Sequence, residues 1–97
     1  MRIVWEEEAE SDLDRIVEYI LQDDPAAAPR MVDVIREAVQ MLADHPYIGR
    51  GGRVIDTREL VIPGTRYIVA YQVLGDTVII LRVLHGAQRW PESFREQ

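Results

Sequence analysis

Apolar residues recur at helical spacing in the first half of the chain, and this pattern predicts two amphipathic helices. The first helix begins near Glu7, and its apolar face consists of Leu13, Ile16, Val17, Ile20 and Leu21. The second helix has a similar face, made of Met31, Val34, Ile35, Ala38 and Leu42. Asp23-Asp24-Pro25 separates the two helices, and His45-Pro46 ends the second. A link this short predicts an antiparallel helical hairpin.

Two alternatives remain for the start of the second helix. Asp24 can act as its N-cap, with Pro25 at the first helical position. In that case Pro29 occupies the fifth position and deletes a backbone hydrogen bond. The alternative is that the helix restarts at Pro29.

Short apolar runs with high strand propensity occupy the rest of the chain. One lies at the N-terminus, Arg2–Trp5, and three follow the helices, over about residues 54–62, residues 66–74 and Thr77–His85. Gly75-Asp76 joins the last two as a two-residue hairpin turn. The order β-α-α-β-β-β predicts an α+β fold, a two-layer sandwich in which an antiparallel helical hairpin packs on an antiparallel sheet.

The Gly75-Asp76 turn also predicts the register of the hairpin, because a two-residue turn determines which residues face one another. Arg66 is then expected opposite His85. A bulge near Gly64-Thr65 would shift the start of this ladder by one residue.

Arg82 lies in the middle of the last strand, which is an unusual position for a cation. The same register places it opposite Val69, with Tyr67 and Tyr71 on the diagonals. Since two helices cover one face of the sheet, we expect the other face to be partly open. A row of tyrosine and arginine on an open face is typical of a sheet that meets a partner.

Length and composition limit the class of protein. The 97 residues are expected to form one domain, 1–97, and they include no cysteine. No apolar stretch approaches the ~18 residues of a membrane span, and the acidic start differs from a signal peptide. A cytoplasmic protein with no membrane contact is therefore expected. Two isolated histidines, His45 and His85, do not make a metal site, and no motif predicts a cofactor.

The net charge of −6 is unevenly distributed along the chain. Residues 1–48 carry twelve acids and four arginines, whereas residues 49–97 carry five acids and seven arginines. All eleven basic residues are arginine. Arginine suits bidentate contact with carboxylate or phosphate, but an acidic, lysine-free chain is a poor platform for long nucleic acids. Residues 47–53 hold three glycines but lack the P-loop pattern, and a flexible connection is expected there.

The ordered set of these features resembles the RelE/ParE superfamily, the toxins of bacterial type II toxin–antitoxin systems. The resemblance covers nearly the whole chain. Its parts are the strand and acidic helix, the helical hairpin, His45-Pro46-Tyr47-Ile48-Gly49-Arg50, Arg58 and Leu60, Pro63-Gly64-Thr65-Arg66, and Ile80-Leu81-Arg82-Val83-Leu84-His85-Gly86. The resemblance implies a cognate antitoxin that wraps and neutralises the protein, and contact with operator DNA only through that antitoxin.

Members of this superfamily divide by target. RelE-like members cleave messenger RNA in the ribosome, whereas ParE-like members inhibit DNA gyrase. An RNA-cleaving centre could draw on Arg66, Arg82 and His85, with Tyr67 or Tyr71 stacking on a base. The missing lysines, and a register that separates Arg82 from the other two, favour a gyrase inhibitor closer to the ParE branch. The alternatives are a RelE-like endoribonuclease and an inactive plasmid-stabilisation remnant that only binds the antitoxin.

The candidate target-binding or antitoxin-binding residues are Arg58, Arg66, Tyr67, Tyr71, Arg82, His85, Arg89 and Trp90. Each also has a structural interpretation. Arg82 can form a salt bridge to a helix carboxylate with its stem between the tyrosines. His85 can be a strand-end histidine bonded to backbone. Trp90 can pack at a sheet edge or anchor a partner. The charge distribution predicts that acidic or backbone carbonyl groups of the antitoxin approach Arg58, Arg66 and Arg82.

Overall fold

Two helices pack on one face of a five-stranded sheet, which confirms the predicted two-layer α+β sandwich. The computed structural model describes residues 1–94. Its elements are β1 Arg2–Trp5, α1 Glu7–Leu21, α2 Ala27–Gln40, a 3-10 helix Met41–Ala43, β2 Arg50–Gly51, β3 Arg58–Val61, β4 Tyr67–Leu74 and β5 Thr77–His85. No helix in this part of the chain is both long and apolar enough to cross a membrane.

The sheet has the order β1-β5-β4-β3-β2. β1 runs parallel to β5, while the other neighbours are antiparallel, so the sheet is mixed rather than wholly antiparallel. β3 is shorter than the predicted residues 54–62. The expected flexible connection over residues 47–53 instead contains β2, which pairs with β3 through Arg50 and Glu59.

The core lies between the helices and the sheet and contains most of the predicted apolar faces. Leu21 and Val34 of those faces are exposed, whereas Val39, which was not predicted, is buried. Its helical side chains include Leu13 and Ile16 of α1 and Ile35 and Val39 of α2. The sheet contributes Val69, Tyr71, Val78, Ile80 and Val83. Tyr71 therefore lies under the helices with no exposed surface, and the prediction of an open face for it is wrong.

The second helix begins between the two predicted starts, after Pro25 and before Pro29. Asp24 and Pro25 lie in the turn, and α2 starts at Ala27 with no side-chain cap. Pro29 is then the third helical residue, where the backbone N–H has no acceptor within the helix. The proline therefore costs α2 no hydrogen bond, and the helix has no reason to restart.

A bulge in β5 changes the predicted register at one point. From the turn to Tyr71 and Ile80 the pairing is as predicted, but Ala70 then faces Arg82, which leaves Leu81 as the extra residue. Beyond the bulge, His85 faces Tyr67, so the predicted Arg66–His85 and Val69–Arg82 pairs are wrong. Gly64-Thr65, where a bulge was expected, lies in the turn before β4.

The face of the sheet away from the helices is partly covered as well. Ile68, Ala70 and Leu84 lie on this face, and all three are buried. The chain after β5 and the connection between β2 and β3 meet over them, where Arg53 stacks on Trp90 at 3.9 Å.

Candidate functional site

A groove of about 560 Å³ lies where the second half of α1 and the start of α2 meet the start of β4 and the end of β5. Its floor is mainly apolar and is formed by Ile16, Ile20, Met31, Tyr67 and Val83. Its rim is polar and includes Arg15, Arg66, His85 and Gln88. We call this feature the α1 groove. It brings together three of the candidate residues, Arg66, Tyr67 and His85.

Tyr67 and His85 form the wall of the α1 groove at the sheet. Their rings meet edge to face with centroids 5.7 Å apart, since the bulge places the two residues opposite each other. Burial raises the pKa of the Tyr67 phenol, and Tyr19 across the groove raises it further. Tyr67 is therefore neutral at physiological pH and presents a half-buried aromatic surface.

His85 is bonded to the backbone, as one of its two interpretations predicted. The N–H of Ala87 donates to His85 Nδ1 at 3.1 Å, and the His85 N–H donates to Gln88 Oε1 at 2.8 Å. Accepting a hydrogen bond at Nδ1 requires this nitrogen to be unprotonated. The ring is therefore oriented by the turn that follows the strand.

Arg66 lies just before β4 on the rim of the same groove. Its carbonyl accepts the N–H of Gly86 at 2.8 Å, which joins the two chain segments of the rim. Within residues 1–94 its exposed guanidinium makes no ion pair or hydrogen bond. Arg66 is thus a cation available to a partner.

Arg82 forms an ion pair with a carboxylate of α1. Its Nε and Nη2 donate to the two oxygens of Asp12 at 2.7 and 2.9 Å. The Asp12 hydrogen bond is the main cause of the raised pKa of Arg82. The predicted salt bridge to a helix acid is therefore present, but the stem does not lie between Tyr67 and Tyr71. Arg82 is not part of the α1 groove.

Tyr71 and Arg58 hold the loop at residues 46–49. The Tyr71 hydroxyl donates to Pro46 O at 2.8 Å and accepts the Gly49 N–H at 2.9 Å. Arg58 Nη1 donates to Gly49 O at 2.9 Å and to Tyr47 O at 3.3 Å. These contacts are internal, so the structure places both candidates away from the groove and in the support of this loop.

Trp90 and Arg89 follow β5 on the other face of the sheet. Trp90 Nε1 donates to His85 O at 3.3 Å, and its ring stacks on Arg53. Arg89 is exposed and makes no ion pair within the described residues. Both lie beside the groove wall rather than inside it. Residues 1–94 contain no group of three or more metal-ligating side chains.

The sequence of this chain matches a known protein family. Residues 3–90 match the family described as the ParE toxin of the type II toxin–antitoxin system parDE. The chain belongs to the ParE toxin family. It is accordingly the toxin of a type II toxin–antitoxin system, as the resemblance implied.

Curated relatives of this ParE-family toxin span almost the same length. The candidate toxin Y4kP of Sinorhizobium fredii is 47% identical over 91 residues, which cover 94% of each chain. Toxin RelE2 of Caulobacter vibrioides is 34% identical, with 90% of this chain and 97% of the relative covered. A solved chain of the chromosomal ParDE system of P. aeruginosa superposes with a TM-score of 0.81 at 27% identity, covering 88% of this chain and 95% of that one.

Two carboxylates of the ParE-family toxin were missed by sequence reasoning. Asp12 is 4% exposed and Glu59 is 2% exposed. A signal for Asp12 exists, because it lies three residues after Ala9 and four before Ile16, on the apolar face of the helix. Glu59 gave a weaker signal, because apolar and polar residues do not alternate regularly over residues 54–62.

Proposed function

We propose that this toxin arrests growth by binding DNA gyrase, and that its cognate antitoxin neutralises it by occupying the α1 groove. The toxin acts in the cytoplasm and reaches operator DNA only through the antitoxin. The observation that carries the proposal is the pairing of Arg82 with Asp12, at 2.7 and 2.9 Å. Because Arg82 is paired with Asp12, its charge is not available to the set Arg66, Arg82 and His85 on which RNA cleavage could draw.

The loss of Arg82 matters because phosphoryl chemistry needs charge stabilisation as well as proton transfer. Arg66 and His85 remain in the groove, but His85 Nδ1 already accepts the Ala87 N–H. With Arg66 as its free cation, the groove has little to stabilise the charge that phosphoryl transfer develops. The α1 groove instead suits protein binding, because a partner can contact both its apolar floor and its cationic rim.

The chemistry of the groove supports an amphipathic antitoxin segment with at least one acidic side chain. Its apolar residues would pack on Ile20, Met31 and Tyr67, and its carboxylate would pair with Arg66. The guanidinium groups of Arg58 and Arg82 are hydrogen-bonded to other residues of the toxin itself. The acidic contact expected from the charge distribution is therefore assigned to Arg66.

The gyrase assignment is tested with purified toxin and DNA gyrase. We expect loss of supercoiling activity or accumulation of gyrase-cleaved DNA, and recovery of normal activity when the antitoxin is added in excess. The toxin already saturated with antitoxin serves as the control. Unchanged supercoiling and unchanged DNA cleavage at confirmed folding would contradict the assignment.

A second candidate function is RelE-like cleavage of messenger RNA on the ribosome. It is favoured by the meeting of Arg66, Tyr67 and His85 in one groove and by the name of relatives such as Toxin RelE2. The test is a map of mRNA ends after translating ribosomes are incubated with the toxin. We expect no codon-level cuts. Cuts that disappear with His85→Ala would establish this alternative instead.

Normal growth at confirmed expression without antitoxin would favour the inactive remnant.

A further inference from the structure

We infer that Glu59, Arg53 and Trp90 are positioning residues for the α1 groove and act from the opposite face of the sheet. The inference rests on the proposed function, in which this groove receives the antitoxin. None of the three residues lines the groove. Arg53 and Trp90 are hydrogen-bonded to the turn at residues 85–87, which forms the groove wall, and Glu59 is hydrogen-bonded to Arg53.

The turn at residues 85–87 needs support because the sheet ends beside it. β1 pairs with β5 only as far as Ile80, so the last residues of β5 have a strand neighbour on one side alone. The turn itself is held to the rim by the bond from the Gly86 N–H to Arg66 O. The position of His85 and Arg66 in the groove therefore depends on what else holds this turn.

Arg53 and Trp90 provide that support from the far face. Arg53 Nη1 donates to Gly86 O at 3.4 Å, and Trp90 Nε1 donates to His85 O at 3.3 Å. The Arg53 guanidinium also lies 3.9 Å from the centre of the Trp90 ring. The carbonyls of His85 and Gly86 are thus both bound by one stacked pair of side chains.

Glu59 determines where Arg53 lies. Its Oε2 accepts the backbone N–H of Arg53 at 2.7 Å and is 3.5 Å from the Arg53 Nε. Its Oε1 accepts Nε and Nη2 of Arg50 at 3.2 and 3.0 Å. The Glu59 side chain is 1% exposed. Burying a carboxylate is costly, and an apolar side chain of similar volume is often as stable or more so. A role in positioning explains why a charge occupies this place.

The two arginines of Glu59 supply a matched pair of variants. Arg53→Ala and Arg50→Ala each remove one cation from Glu59, but only Arg53 reaches Gly86 and Trp90. Trp90→Phe keeps an aromatic ring for stacking and removes only the donor to His85 O. Arg66→Glu reports whether the groove itself binds the antitoxin.

The experiment measures the dissociation constant of each variant for the purified cognate antitoxin by titration calorimetry, together with its melting temperature. We expect Arg53→Ala to weaken binding about tenfold, the size of coupling within one hydrogen-bonded network. Trp90→Phe should weaken binding in the same direction, and Arg50→Ala should leave it unchanged at a similar melting temperature. The inference requires this full pattern.

Two results would overturn the inference in distinguishable ways. If Arg66→Glu weakens binding while Arg53→Ala and Arg50→Ala act alike, Glu59 is only structural and the proposed function stands. If Arg66→Glu leaves binding unchanged, the α1 groove does not receive the antitoxin. The assignment of the groove then falls together with the inference built on it.

Discussion

Asp12 joins the helical layer to the sheet through one buried carboxylate. It accepts Nε and Nη2 of Arg82, and its Oδ2 also accepts the backbone N–H of Val83 at 2.9 Å. That N–H lies directly after the bulge, beyond the last residue that pairs with β1. The carboxylate therefore replaces a missing strand neighbour as well as neutralising a half-buried cation.

Replacing this carboxylate should be strongly destabilising. We expect Asp12→Asn to lower the free energy of unfolding by about 3 kcal/mol, because it leaves Arg82 partly buried without a counter-charge. The matched control is Arg15→Ala, which removes the second ion-pair partner of Asp12. The Arg15 side chain is 60% exposed, so its loss should cost less than about 1 kcal/mol. Urea denaturation measures both, and equal losses would contradict this role for Asp12.

Tyr71 makes the free energy of unfolding depend on pH in the alkaline range. Burial raises the pKa of its phenol, against the opposing effects of the Gly49 N–H and Arg58. The folded chain therefore holds this proton more tightly than the unfolded chain does. The stabilisation is complete below the ordinary tyrosine pKa of about 10 and is lost as the pH rises through the higher folded value.

Two phenylalanine variants separate this titration from the hydrogen bonds of Tyr71. Tyr71→Phe should lower the free energy of unfolding by about 1–2 kcal/mol at pH 7, since Pro46 O and the Gly49 N–H lose their partner. Tyr67→Phe should change it little at pH 7. Both variants should lose less stability than the parent between neutral and strongly alkaline pH in urea titrations. A parent-like alkaline loss in both would contradict the assignment.

At the scale of single residues, the sequence predicted which helical side chains are buried better than it predicted which face or partner a strand residue has. The spacing of apolar residues placed Leu13 and Ile16 in the core correctly. It failed for Tyr71 because the alternation of a strand separates two faces without saying which one the helices cover. Arg82 was recognised as needing an acid, but its partner lies 70 residues away in sequence.

At the scale of elements, boundaries were predictable where local chemistry marks them. β5 and the start of α1 have the expected limits because a glycine turn and a run of glutamates mark them. The bulge at Leu81 was not predictable, since Ile80 and Leu81 are both apolar and strand-favouring. This one residue reversed the faces of the last part of β5. It brought His85 opposite Tyr67 and so completed the α1 groove.

The loop at residues 46–49 is an element in which one glycine is required for space. A Cβ on Gly49 would lie 2.6 Å from the Tyr71 hydroxyl and 2.8 Å from the carbonyl oxygen of Glu59. A Cβ on Gly51, two residues on, would have no atom within 4 Å. The two glycines therefore form a natural test of how tightly the loop is packed against β3 and β4.

We expect Gly49→Ala to destabilise the fold by about 2 kcal/mol or more, because buried backbone must move to admit the methyl group. Gly51→Ala should change the free energy of unfolding by less than about 0.5 kcal/mol. Thermal and urea unfolding of the two variants give the comparison. A Gly49→Ala protein as stable as Gly51→Ala would show that the loop is not held by Tyr71.

At the scale of the whole molecule, the uneven charge of the sequence becomes a difference between layers. The two helices belong to the acidic half, and β2 to β5 belong to the arginine-rich half. Several arginines are neutralised internally, among them Arg50 by Glu59 and Arg82 by Asp12. Among the arginines of residues 1–94 that form no ion pair, Arg66 lies on the rim of the α1 groove. This distribution favours an acidic partner approaching the end of the sheet.

The same distribution predicts how antitoxin binding responds to charge and salt. Arg66→Glu should weaken antitoxin binding about tenfold or more, because it places a carboxylate where the partner's carboxylate is expected. Arg2→Glu makes the same change in net charge on β1, away from the groove, and should alter binding less than about threefold. Raising the salt concentration should reduce the difference between the two variants, since screening weakens exposed pairs. Titration calorimetry at two ionic strengths measures these quantities. Equal effects of the two variants would mean that net charge, rather than the position of Arg66, controls the attraction.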